Sequence, residues 1–179
     1  DWAQSAGWDP REKVRCFADM LHFDNFDDEV LRKEDPAKFI PKAYEGRPYN
    51  VFETGGTTGM PKQRIGWEDY KTDYTEFSEH YGPDFFPQGA NWLMVGPTGP
   101  RRLRMAIEHL ANIRGGACYF IDLDPRWVKR LIGMGEMKMA KAYQEHVIDQ
   151  AVTILRHRDI KCIFTTPRLL ESLSLRMSL

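Results

Sequence analysis

The chain has 179 residues, of which 42% are hydrophobic and 28% are charged. These proportions are typical of a globular domain with a core, and they exclude a disordered or fibrous chain. Lysine and arginine (25) nearly balance aspartate and glutamate (26), which argues against a general nucleic-acid-binding surface. No apolar run approaches the roughly 20 residues that a membrane-spanning helix needs. Neither nucleic acid nor a membrane is therefore expected as a partner.

The first 48 residues are expected to form an irregular, partly helical segment. Residues 11–21 fit a helix, and turns are expected at residues 24–28 and at Glu34-Asp35-Pro36. Residues 49–179 are expected to form an α/β domain.

Cys16, Cys118 and Cys162 are widely spaced along the chain. An odd number of cysteines without metal-like spacing predicts reduced thiols and a cytoplasmic protein. Since Cys118 and Cys162 lie in apolar runs, both are expected to be buried structural thiols.

From residue 49 onward, short apolar strands alternate with helices. Gly115-Gly116 ends one helix, as a glycine pair should, and Asp124-Pro125 opens another with proline in the first turn. The predicted strands cover residues 49–52, 91–95, 117–121 and 162–164, and the predicted helices cover residues 67–81, 101–114, 127–132, 140–158 and 167–175. This alternation predicts an α/β fold with a mainly parallel sheet flanked by helices.

The helix predicted over residues 67–81 carries an aromatic stripe. Its aromatic residues recur at helical spacing, and they are Trp67, Tyr70, Tyr74, Phe77 and Tyr81. A helix that packs this face on the sheet is the favoured interpretation, and ligand stacking is the alternative.

Three arginines, Arg101, Arg102 and Arg104, stand at the start of the next predicted helix. Positive charge at that position opposes the helix dipole. A solvated face is the favoured interpretation, and a site for a ligand phosphate or a partner carboxylate is the alternative.

Residues 54–62 read Thr-Gly-Gly-Thr-Thr-Gly-Met-Pro-Lys and combine the groups that hold a polyphosphate. Glycines let the backbone approach an anion closely, and exposed N–H groups in such a loop form a cradle for oxygen atoms. Threonine hydroxyls add donors, and Lys62 adds a positive point charge. Because the loop follows a predicted strand and precedes a predicted helix, it is expected where ligands bind in α/β folds.

Two other phosphate-binding motifs do not fit these residues, because the spacing of their key residues differs. A Walker loop needs glycine directly before the lysine and Ser or Thr directly after it, whereas Pro61 and Gln63 flank Lys62. The glycine spacing of a dinucleotide-binding fingerprint is also absent. A Gly/Thr turn without a ligand remains open on composition alone.

Residues 55–62, GGTTGMPK, resemble the Ser-Gly-Thr-Thr-Gly-x-Pro-Lys signature of the adenylate-forming superfamily, which includes acyl- and aryl-CoA ligases, luciferases and adenylation domains. Gly55 stands where the family usually has Ser or Thr, and Gln63 stands where it commonly has Gly. Weaker matches in the right order, including Gly115-Gly116-Ala117 and Asp124-Pro125, extend the resemblance over about residues 49–173. The chain is most similar to the phenylacetate-CoA ligase branch.

The resemblance implies that residues 49–179 form part of the large N-terminal AMP-binding (adenylation) domain of an enzyme that activates a carboxylic acid with ATP as an acyl-adenylate. The acyl group would then pass to a thiol of CoA or a carrier protein, or to an amine, and the branch implies an aromatic acid. Thr58 and Lys62 would be catalytic, and magnesium would share the phosphate charge. The β- and γ-phosphates would be bound by Thr54, Gly55, Gly56, Thr57, Thr58, Gly59 and Lys62.

Several later elements of the family are not found in the chain, including the Tyr-Gly-x-Thr-Glu loop, the ribose-binding Asp and the C-terminal lysine. The remainder of a longer enzyme, or another chain, is therefore expected to complete the active site. The alternative is a non-catalytic nucleotide- or protein-binding module with a degenerate or truncated adenylation fold.

Overall fold

The computed structural model divides the chain into two compact units, Asp1–Val30 and Leu31–Leu179. The residues that the structure describes are 11, 14–22, 29–54, 60–99 and 102–178. The turn predicted at residues 24–28 lies outside these described residues.

The first unit contains a 3-10 helix, Phe17–His22. The predicted continuous helix over residues 11–21 is wrong, because residues 14–16 are not helical. The Asp19 carboxylate accepts hydrogen bonds from the backbone N–H groups of Arg15 (2.7 Å) and Cys16 (3.1 Å). These side-chain hydrogen bonds compete with helical backbone pairing at residues 15 and 16. The 3-10 helix therefore begins only at Phe17.

A short helix, α1 (Val30–Lys33), is followed by two 3-10 helices, Pro36–Phe39 and Lys42–Tyr44. Asp35 caps the first of these, since its side chain accepts from the backbone N–H of Ala37 at 2.9 Å. The turn predicted around Asp35 is therefore the entry to a 3-10 helix, as an aspartate followed by proline allows.

Strands β1 (Asn50–Glu53) and β2 (Gln63–Gly66) form an antiparallel two-stranded sheet. Val51 lies opposite Ile65 in the register. Strand β2 was not predicted, so the expectation that the Gly/Thr loop precedes a helix is wrong. The loop joins the two strands of a hairpin.

The second sheet is parallel, with β3 (Asn91–Gly96) between β4 (Cys118–Asp122) and β5 (Ile160–Phe164). The helices of this unit after the hairpin are α2 (Asp69–Tyr81), α3 (Arg102–Ile113), α4 (Pro125–Gly133), α5 (Met137–His157) and α6 (Pro167–Met177). The predicted α/β class, with a parallel sheet flanked by helices, is confirmed. No helix in the described part of the chain has the length and apolar character needed to cross a membrane.

The central strand β3 is covered on both faces. Leu93 and Val95 belong to the core formed with α5 and α6, whereas Trp92 and Met94 belong to the core formed with α3. Because successive side chains of a strand point to opposite faces, burial on both faces explains the continuous apolar run of β3.

The aromatic stripe is only partly buried. Helix α2 packs against α3, and Tyr70 is 4% exposed, but Phe77 and Tyr81 are 46% and 47% exposed. Trp67 precedes the helix. Tyr74 packs against the core that β3 forms with α3, so the predicted packing of this face is confirmed for part of the stripe and not for Phe77 and Tyr81.

Candidate functional site

The two ends of the predicted phosphate loop are held together by the hairpin. Thr54 directly follows β1, and its backbone N–H donates to the carbonyl of Lys62 at 3.0 Å. The Lys62 N–H donates in turn to Thr54 Oγ1 at 3.2 Å. Both residues are half-buried. We call this pair of residues the neck of the loop.

The middle of the loop lies outside the described residues. The predicted ligand-binding residues there are Gly55, Gly56, Thr57, Thr58 and Gly59. Their assignment as phosphate ligands stays a prediction. The structure brings together Thr54 and Lys62, the first and last residues of the predicted set.

The exit of the loop is bonded to the preceding helix. The Arg32 guanidinium donates to the carbonyl oxygen of Met60 at 2.9 Å. Arg32 lies in α1, so a residue distant in sequence holds the backbone shortly before Lys62.

A carboxylate beside the neck joins three segments of the chain. Glu53 precedes Thr54, and its Oε1 accepts from Gln63 Nε2 at 3.0 Å. Its Oε2 accepts from Arg126 Nη1 at 3.0 Å. The Glu53 and Arg126 side chains are 20% and 37% exposed. Gln63, which departs from the family signature, thus has a structural partner in this hairpin.

Arg126 lies at the edge of the parallel sheet where ligands bind in α/β folds. It is in the first turn of α4, which follows β4 and is capped by Asp124 through the backbone N–H of Arg126 at 2.8 Å. The contact between Arg126 and Glu53 therefore links the neck to the carboxyl edge of the sheet. Neither residue was identified from the sequence, because only their contact reveals a role.

Two further polar side chains described at this edge, those of Asp122 and Thr165, bond to the protein itself. Asp122 accepts from the backbone N–H of Thr98 at 2.7 Å and from its hydroxyl at 3.0 Å. The Thr165 hydroxyl donates to the carbonyl of Val95 at 2.8 Å. These bonds fix the turns that follow the strands.

The described arginines of the basic cluster have intramolecular partners. Arg102 donates to Asp69 at 2.7 Å and to Asp73 at 2.8 Å, and the hydrogen bond to Asp73 is the main cause that raises the pKa of its guanidinium. Arg104 pairs with Glu108. The predicted solvated face is therefore a set of exposed ion pairs. Arg101 lies outside the described residues.

The described residues offer neither a metal-binding cluster nor a thiol activated as a nucleophile. Within the described ranges, no group of three or more His, Cys, Asp or Glu side chains is placed to hold a metal ion. Cys16 is exposed, whereas Cys118 and Cys162 are half-buried rather than fully buried as expected. Burial raises the pKa of Cys118 to about 12, so its thiolate, the nucleophilic form, is scarce at neutral pH.

An apolar cavity of about 600 Å³ lies between α2, α3 and β5. Aromatic side chains form much of its lining, and they include Tyr74, Phe77, Phe86, Trp92 and Phe164. Phe86 and Trp92 stack with their ring centroids 5.6 Å apart. The volume is in the range of pockets that hold small organic molecules.

Comparison of the chain with models of known protein families and with curated proteins finds no match.

Proposed function

We propose that this chain contributes the pyrophosphate-binding part of an enzyme that activates a carboxylic acid as an acyl-adenylate. The observation that carries the proposal is the neck, where Thr54 and Lys62 are bonded to each other at the two ends of a Gly/Thr-rich loop. The neck holds Lys62, a cation, beside the first residue of a segment rich in Gly and Thr, and recognition of a polyphosphate requires a cation together with hydrogen-bond donors.

The reaction transfers an adenylyl group. A carboxylate oxygen of the acid attacks the α-phosphorus of ATP, and the bond from this phosphorus to the β-bridging oxygen breaks. Pyrophosphate leaves with the electron pair of that bond. An acceptor thiol of CoA or a carrier protein, or an amine, then attacks the acyl carbon and releases AMP.

The residues of the loop act on the leaving group. Lys62 supplies a positive charge, Thr57 and Thr58 supply hydroxyl donors, and the glycines supply backbone N–H groups for the β- and γ-phosphate oxygens. Preorganised donors of this kind stabilise charge that develops in the transition state. Magnesium, held through phosphate oxygens, would share the same charge.

The aromatic cavity supports an aromatic acid as the substrate. The lining offers the rings of Phe77, Phe86 and Trp92, and aromatic rings favour stacked and edge-to-face contacts with one another. Two lining residues belong to the carboxyl edge of the sheet, since Phe164 is the last residue of β5 and Leu103 lies in the first turn of α3. The remainder of a longer enzyme, or another chain, would complete the nucleotide site.

The proposal predicts that ATP–pyrophosphate exchange by the full natural protein depends on Lys62 and Thr58. With aromatic and aliphatic acids supplied in turn, Lys62→Ala should lower exchange about tenfold or more, since it removes charged hydrogen bonds. Thr58→Val, which removes one hydroxyl, should lower exchange about three- to tenfold.

Lys141→Ala is the matched control, because Lys141 is an exposed lysine of α5 whose side chain is 78% exposed. It should exchange at the rate of the unmodified protein. Exchange at that rate in both loop variants would exclude the proposed role of the loop. Binding of magnesium ATP without exchange for any acid would instead support a non-catalytic nucleotide-binding module.

A further inference from the structure

The Glu53 carboxylate is placed to control both sides of the neck. Glu53 precedes Thr54 in the chain, and Gln63 follows Lys62. Glu53 and Gln63 are direct partners in the register of the hairpin, and their side chains are also bonded at 3.0 Å. A shift of Glu53 would therefore move the residues on which the loop begins and ends.

Arg126 holds this carboxylate from a rigid element. Its helix α4 begins with Pro125 after the Asp124 cap, and Val128 and Leu131 of the same helix are buried. The guanidinium reaches Glu53 across 73 residues of sequence. The hairpin is thus tethered to the carboxyl edge of the parallel sheet.

Global stability is a weak explanation for this contact. The Arg126 side chain is 37% exposed and the Glu53 side chain 20%, and contact with water weakens the contribution of an ion pair to stability. Placement of a binding group, by contrast, is sensitive to shifts of about 1 Å. A role in placing the loop therefore explains the contact between Arg126 and Glu53 better than a role in stabilising the fold does.

We propose that Arg126 is a positioning residue for the neck, the pair Thr54 and Lys62 at the two ends of the predicted phosphate loop. It acts through Glu53, with Gln63 as the second donor to the same carboxylate, and sets the distance between Thr54 and Lys62. This inference rests on the proposed function, because the positioned groups are those that would hold pyrophosphate.

The first test measures affinity for magnesium pyrophosphate by calorimetry. Arg126→Met keeps the aliphatic stem and removes the donors, and it should weaken binding about five- to tenfold, within the range of coupling energies between contacting residues. Arg126→Lys keeps one charged donor and should restore part of the affinity. Arg168→Met is the matched control, because Arg168 follows Pro167 in the first turn of α6 and should not change the affinity.

A double-mutant cycle separates positioning from general damage. If Arg126 acts through the neck, Arg126→Met in a Lys62→Ala background should weaken binding by no more than about twofold. A full additional loss in that background would overturn the proposal, as would unchanged affinity in Arg126→Met alone.

Backbone amide exchange, measured without ligand, tests the positioning role of Arg126 separately from pyrophosphate binding. The N–H groups of Thr54 and Lys62 both donate across the neck, so their hydrogen–deuterium exchange should quicken about fivefold or more in Arg126→Met and stay unchanged in Arg168→Met. If these amides respond but the unmodified protein does not bind pyrophosphate, positioning stands and the proposed function fails. If pyrophosphate binds but neither the amides nor the affinity respond, the proposed function stands and the positioning role fails.

Discussion

At the scale of single residues, the glycine pair after α3 has two distinct roles. Gly115 adopts a φ of 72° and ends the helix, in the left-handed region that favours glycine. Gly116 instead lies against the chain before β3, where an added Cβ would stand 1.8 Å from the carbonyl oxygen of Ala90. The sequence predicted the helix end but not this close approach, because Ala90 belongs to another segment.

Gly116→Ala should therefore destabilise the protein. The added methyl meets backbone atoms that cannot move aside independently, so we expect the free energy of unfolding to fall by about 3 kcal/mol or more. Urea denaturation followed by circular dichroism would measure the change. Gly133→Ala is the control, since a Cβ at Gly133 meets nothing within 4 Å, and its stability should rise by up to about 1 kcal/mol. Equal stability of the two variants would contradict the packing described for Gly116.

In the candidate site, too, the sequence revealed the residues of one segment but not the contacts between distant segments. Thr54 and Lys62 were identified from residue types within one short segment, because donors and a cation next to glycines indicate anion binding. Glu53 and Arg126 were missed, because their roles arise from a contact between segments 73 residues apart. Spacing along the chain carries no signal for such a contact.

At the scale of elements, strong local signals predicted the structure well. Helices α3 and α6 and strand β3 lie close to their predicted ranges, since apolar periodicity and clear end signals agree there. Strand β2 was missed because Ile65 is the only large apolar residue in its four positions. It forms a strand through pairing with β1, and pairing is a property of two segments rather than of one.

Helices α5 and α6 are joined by an exposed ion pair whose response to pH can be measured. Arg176 donates to Asp149 through Nε at 2.7 Å and through Nη2 at 3.0 Å. These hydrogen bonds lower the pKa of Asp149 below its usual value. Because the folded pKa is lowered, the stability contributed by this pair is present above the ordinary carboxyl pKa. It is lost as the pH falls through the lowered value.

Arg176→Gln should accordingly raise the pKa of Asp149 towards that of an unpaired aspartate. A carbon-detected NMR titration of the side-chain carboxyl would report the change. Arg156→Gln, at an exposed position in the last turn of α5, should leave the Asp149 pKa unaltered. An identical Asp149 titration curve in Arg176→Gln and the unmodified protein would show that the pair does not form in solution.

At the scale of the whole molecule, the class of fold could be predicted but the position of the loop could not. Alternating helices and apolar strands indicate a parallel sheet with helices around it, and that prediction is confirmed. The loop, however, belongs to a separate hairpin, which contacts the sheet edge through Glu53 and Arg126. The proposed site is thus assembled from two sheets, and only three-dimensional contacts could reveal this arrangement.

The most direct test of the central claim is a calorimetric titration of this chain with magnesium pyrophosphate. We predict saturable binding that Lys62→Ala weakens about tenfold or more, because a charged donor to phosphate oxygens is lost, whereas Lys141→Ala leaves it unchanged. Absence of saturable binding, or equal affinity in Lys62→Ala and the unmodified chain, would contradict the assignment of residues 54–62 as a pyrophosphate-binding loop.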